Sequence, residues 1–212
     1  RLPIVTTLVI DAPKLGGTRL EIDVAHNPTP QQLYLDLLKM RLLRWGDGTW
    51  ERYNGRGRGV RKRALKAISG FVERSGWQLA RPKPFNAKAR DEGLDWPAEA
   101  ETMIGRKRLS NLQYCVETVL RDDVPGDLIE TGVWRGGASI FMRAILAAYG
   151  DTTRTVWVAD SFEGLPVPDL DRYPQDAPAH WHRSNDQLAV SKAGVQENFR
   201  RYGMLDDRVK FL

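Results

Sequence analysis

The chain has 212 residues, 42% of them hydrophobic and 28% charged, which suits a globular fold of one large domain or one domain with an appendage. No apolar run approaches the roughly 18 residues of a membrane-spanning helix, and a single cysteine, Cys115, excludes a disulfide framework and a cysteine metal site. The net charge of +5 is uneven: residues 52–90 hold twelve Lys or Arg against one acid, Glu73, and the rest of the chain holds twenty against twenty-six.

Such a basic stretch suits either a solvated connector or a patch that binds nucleic acid or another anionic surface. Its aromatics, Tyr53, Phe71, Trp77 and Phe85, are spaced more like core anchors than like a base-stacking platform. One cysteine and no signal peptide fit a reduced, cytoplasmic setting. The chain opens on Arg1 and its last residues read as the beginning of a strand, so a piece of a longer chain is expected.

In chain order, IVTTLVI (4–10) and TRLEIDV (18–24) flank a Pro- and Gly-containing turn and predict a β-hairpin within residues 1–28. Residues 29–94 read as a helical, basic extension. Thr29 followed by Pro30 supplies an N-cap and a first-turn proline for a helix over about 30–44, with Leu33, Leu37, Met40 and Leu43 or Arg44 at helical spacing. A basic helix over 60–74 follows, and the proline-rich residues 81–97 read as irregular.

From residue 95 the pattern changes. A helix from about residue 98 carries an apolar stripe of Leu109, Leu112, Val116 and Val119, with Cys115 on the same side, and stops at Val124-Pro125-Gly126. Strand 127–131, a glycine turn, a helix with Ala138, Phe141, Ile145 and Leu146 on one face, and strand 155–159 then form a βαβ unit, hence a parallel α/β sheet. Consecutive apolar residues in the second strand predict cover on both of its faces.

In open parallel sheets, ligands bind where strands end and helix N-termini begin. Glu130 and Asp160 both fall at such ends. Gly132 permits the turn, and Gly136 and Gly137 suggest a ligand lying against bare backbone. GVWRGG lacks the G-x-G-x-x-G order that admits a pyrophosphate. An adenosine ligand without pyrophosphate suits it better, with Asp160 accepting ribose hydroxyls and Glu130 meeting a cationic amino acid group. That pair points to S-adenosylmethionine rather than NAD.

The stretches TMIGRKRLSNLQYCVETVL (102–120), VPGDLIETGVWRGGASIFMRAILAAYG (124–150) and RTVWVADSFEGLPVPD (154–169) resemble the macrocin O-methyltransferase family of the TylF/MycF type, which methylates sugar hydroxyls on natural products. The resemblance implies a Rossmann-like class I methyltransferase fold, here expected to be incomplete after the start of its third parallel strand. It also implies S-adenosylmethionine as cofactor and a glycoside or sugar as acceptor, and it is compatible with a homo-oligomer; the lack of a long apolar run argues against a membrane partner, and the spacing of the aromatics in 52–90 disfavours nucleic acid. The cofactor contacts it implies are Met103, Ile104, Glu130, Thr131, Gly132, Ser139, Asp160 and Ser161. On the long segment 166–187, His182, or His180 beside it, is expected to approach the acceptor as hydrogen-bond partner or base. The resemblance further implies Mg²⁺ assistance, with the metal carboxylates expected beyond Leu212, because Asp206 and Asp207 precede a strand instead of following one. Without those carboxylates this chain by itself is expected to be inactive. Two alternatives stay open: a nucleic-acid-binding module built on residues 52–90, and a partial gene product without activity.

Overall fold

The computed structural model describes residues 28–52, 67–68, 80–95, 97, 99–176, 178 and 181–212. The expected hairpin lies outside them, as does the expected basic helix except for residues 67 and 68, which are helical.

Helix α1 (Pro30–Leu42) starts on a complete capping box: Gln32 N–H donates to the Thr29 hydroxyl at 3.2 Å and Thr29 N–H to Gln32 Oε1 at 2.9 Å. Of the expected face Leu43 is buried and Met40 half-buried, but the rest of the packed face differs. Leu33 is 49% and Leu37 71% exposed, whereas Leu35, Leu38 and Leu42 are buried. Leucines occur on several sides of this helix, so periodicity alone does not select the packed one; the neighbouring helices do.

The proline-rich stretch is also more ordered than its composition suggests. Strand β1 (Thr49–Arg52) pairs antiparallel with β2 (Ala80–Lys83), Thr49 opposite Lys83 and Arg52 opposite Ala80. In a two-stranded sheet both strands are edges, which is where Pro82 is tolerated. Helix α2 (Ala87–Glu92) then starts at Asn86, whose side chain accepts from Ala89 N–H at 3.0 Å. Arg90, 2% exposed, fastens α2 to the end of α1: it donates to the Leu43 and Arg44 carbonyls and pairs with Asp95 at 2.7 Å.

Helix α3 (Arg106–Arg121) begins later than expected. Gly105, at φ +84°, crosses Gly93, at φ +68°, so closely that a Cβ at position 105 would lie 2.4 Å from Gly93 N. The intervening backbone is tied to its surroundings, Glu101 N–H donating to Leu42 O and Gly137 N–H to Glu101 O. Leu109 and Val116 face the core as expected, but Cys115 is exposed, outside the buried stripe.

The remaining elements are β3 (Leu128–Thr131), α4 (Gly137–Ala148), β4 (Val156–Ala159), a long segment with 3-10 turns at Pro174–Asp176 and Trp181–Ser184, α5 (Asn185–Leu188), α6 (Lys192–Arg201) and β5 (Val209–Phe211). The strands form a parallel sheet in the order β3-β4-β5, Leu128 opposite Val156 and Val156 opposite Val209. Helix α4, apolar and buried along most of its length, fills the centre between the sheet, α1 and α3.

In β4, Val156 and Val158 are buried, while Trp157 and Ala159 are only half-buried. The expected cover on both faces is therefore full on one face among the described residues. At the starting ends of the strands Asp127 bridges β3 to β4, accepting from Thr155 N–H and Trp157 Nε1–H at 2.9 Å each.

Candidate functional site

The site lies where β3 and β4 end. β3 alternates, so Leu128 and Glu130 point into the helix layer and Ile129 and Thr131 to the opposite face. Glu130 thereby reaches the first turn of α4. Its carboxylate accepts from the Ser139 hydroxyl and from the backbone N–H of the same residue, capping a helix whose own N-cap, Gly136, has no side chain to do so. Burial pushes the Glu130 carboxyl up to about 7, the Ser139 hydrogen bonds opposing the shift and the Asp160 charge adding to it.

Asp160, at the end of β4, behaves oppositely. Its Oδ2 accepts from Val133 N–H at 2.6 Å and Trp134 N–H at 3.4 Å, and its Oδ1 from Phe162 N–H at 2.9 Å. Burial works to raise its pKa, but the backbone donors Phe162, Val133 and Trp134 outweigh it and leave Asp160 below the usual carboxylate range. One strand end thus carries a carboxyl that titrates near neutrality, and the next carries one that stays ionised.

Gly136 and Gly137 were expected to admit a ligand, yet the room lies at Gly132, the glycine read as permitting the turn. Gly132, at φ +82°, has no atom within 4 Å of where its Cβ would lie. At Gly136 a Cβ would lie 2.8 Å from Val195 Cγ1, and at Gly137 it would lie 2.5 Å from Glu101 O. Those two glycines admit α6 and the segment before α3, so protein fills the space that the sequence suggested for a ligand.

Of the other expected contacts, Thr131 is exposed beside Gly132, and Met103 and Ile104 are half-buried two and three residues beyond the Glu101 carbonyl that holds Gly137. Ser139 faces Glu130. Ser161 builds a turn: its hydroxyl donates to Gly164 O and accepts from Glu163 N–H, both at 3.3 Å. His182 is half-buried and its Nδ1 has no hydrogen-bond partner among the described residues, while His180 lies outside them. A cavity of about 410 Å³ opens between Glu99–Glu101, Arg135 and α6, and none of Glu130, Gly132 and Asp160 lines it.

Sequence reasoning overlooked Trp134 and Asn185. Trp134 has φ +51°, rare for a residue with a side chain, and its indole Nε1–H donates to Gln187 O at 2.8 Å. Asn185 holds both the N–H and the C=O of Leu165, at 2.9 and 2.8 Å. Neither belongs to a periodic pattern, so no sequence signal marks them.

The chain is 61% identical over 127 residues to the 8-demethyl-8-(2,3-dimethoxy-alpha-L-rhamnosyl)-tetracenomycin-C 4'-O-methyltransferase of Streptomyces olivaceus, a match covering 60% of this chain and 49% of that protein. It is 52% identical over 152 residues to the mycinamicin III 3''-O-methyltransferase of Micromonospora griseorubida, covering 69% of this chain and 60% of the relative. The chain therefore spans about half to three fifths of the length of these relatives. Among solved structures, the O-methyltransferase NovP superposes with a TM-score of 0.66 at 42% identity, over 86% of this chain and 63% of that one, which identifies the class I methyltransferase fold. Because the profile of the macrocin O-methyltransferase (TylF) family also matches residues 31–212, the chain belongs to that family.

Proposed function

We propose that this chain serves an enzyme that transfers a methyl group from S-adenosylmethionine to a sugar hydroxyl of a natural product. The observation that carries the reading is the space at Gly132, open at a strand end between a near-neutral and an ionised carboxyl, in a chain of this family. The names of the similar relatives, one of which specifies a rhamnosylated tetracenomycin, support the acceptor class.

The residues present fit the cofactor. The missing Cβ of Gly132 lets a ligand lie on the strand end, and the ionised form of Glu130 complements a cationic amino acid group from below. Asp160 accepts from three backbone N–H groups and from the Ser161 side chain, which holds it ionised at the strand end, where a ribose hydroxyl would share one of its oxygens. Met103 and Ile104 offer apolar surface, and Thr131 and Ser161 offer hydroxyls. Bound S-adenosylmethionine supplies an electrophilic methyl group, and the work left to the protein is chiefly alignment. His182, with its unpartnered Nδ1, is the residue we assign to the acceptor, as hydrogen-bond partner or base for the hydroxyl proton.

A metal does not fit the described residues. Among them no group of three or more His, Cys, Asp or Glu comes together, and Asp206 is ion-paired with Arg143 at 2.5 Å.

Titration calorimetry of S-adenosylmethionine into the 212-residue chain tests the reading. Gly132→Ala should weaken binding by about tenfold or more, since the open position costs little in packing but a methyl group would stand where the ligand lies. Absence of binding to the unmodified chain would overturn the assignment.

A further inference from the structure

We propose that Trp134 is a positioning residue for the acceptor-bearing segment, holding the root of residues 165–187 against the turn that carries Gly132. The inference rests on the methyltransferase reading above for its kinetic consequence, though not for its geometry.

The segment has a neck. Asn185 receives the Leu165 N–H on its Oδ1 and donates its amide to the Leu165 carbonyl, so two residues twenty apart are pinned side to side. Gly164 makes the approach possible: a Cβ there would lie 2.6 Å from Asn185 Oδ1. Two residues past Asn185, the Gln187 carbonyl accepts from the indole of Trp134 at 2.8 Å. That bond ties the far side of the neck to the glycine turn, whose backbone N–H groups already hold Asp160 on the near side.

The indole is held in place for this task. The Trp134 backbone adopts the left-handed conformation at φ +51°, and its N–H, with that of Val133, is directed at Asp160. The Arg135 guanidinium stacks 4.5 Å from the ring centroid while donating to Ala100 O at 3.0 Å, and the Arg135 carbonyl accepts from Asn198 at 2.9 Å. A left-handed non-glycine residue is retained only where its surroundings over-determine it. Here they orient the side chain towards Gln187. His182, the residue assigned to the acceptor, lies between the two ends of the neck, so a change at Gln187 alters where it stands.

Trp134→Phe removes the donor and keeps an aromatic ring under Arg135. In the 212-residue chain, amide hydrogen exchange over residues 165–188 should quicken by about tenfold, the scale of one neutral hydrogen bond, with β3 and α4 unchanged. S-adenosylmethionine affinity should stay within about twofold, and in the methyl-transfer assay the loss should fall on acceptor KM, about tenfold, with kcat nearly kept. Unchanged exchange over 165–188 would overturn the proposal. So would a fall in cofactor affinity matching the rise in KM, because the indole would then serve the turn as a whole. If the unmodified chain binds no S-adenosylmethionine, the enzymatic reading fails while the exchange result still decides whether the tether exists.

Discussion

Glu130 shows how one side chain serves both fold and site. It caps α4 through Ser139, yet burial holds its carboxyl at about 7 against 4.5 unfolded. Its folded pKa is the higher one, so the native state keeps a proton that the unfolded state releases. Stability is then greatest below about pH 4.5 and falls as pH rises towards 7, by up to about 3 kcal/mol from this group. Chemical denaturation at pH 5 and pH 8 should show this slope for the native chain and lose it in Glu130→Gln. A cationic ligand favours the ionised form, so S-adenosylmethionine binding near pH 6.5 should release a proton, read by calorimetry in buffers of different ionisation enthalpy. Glu130, Gly132 and Asp160 were legible in the sequence because strand periodicity and a glycine turn place them at strand ends. The backbone donors that occupy Asp160 were not, since every residue but proline carries the same N–H and only the fold says which ones converge.

Elements differ in legibility for physical reasons. The βαβ unit was readable because its neighbours in sequence are its neighbours in space. β1 and β2 pair across some thirty residues, and the proline in β2 argues against a strand until its edge position is known. The face of α1 depends on which helices pack beside it. The start of α3 depends on the Gly93–Gly105 crossing, a contact between two glycines twelve residues apart. Gly105→Ala meets both a left-handed φ and backbone at 2.4 Å, so it should cost about 3 kcal/mol or more. Gly150→Ala has φ +71° but nothing within 4 Å, and should cost only about 1 kcal/mol. Urea midpoints of the two variants measure the difference.

Across the whole molecule, the ring of Phe199 joins parts that the sequence keeps separate. It is fully buried on α6, packs against Phe211 of β5 at 5.8 Å between centroids, and sits under Gly136 of the β3–α4 turn. Phe199→Leu should lower stability by about 1–2 kcal/mol and also quicken hydrogen exchange at residues 132–139, because the turn rests on that ring. The second strand was expected to be covered on both faces, and instead Trp157 and Ala159 of β4 are half-buried, which residue type and spacing do not reveal. The two aspartates at opposite ends of the β3–β4 pair have a further consequence. Asp127 fastens the starts of the strands through Thr155 and Trp157, and Asp160 fastens their finishes through Val133. A slip of one residue would turn the buried face of a strand outward and, at the same time, pull both carboxylates off their donors. The pair therefore works like a vernier with a stop at each end, in which only one alignment closes both stops, and the spacing between Glu130 and Asp160 is set by the same error check that sets the fold.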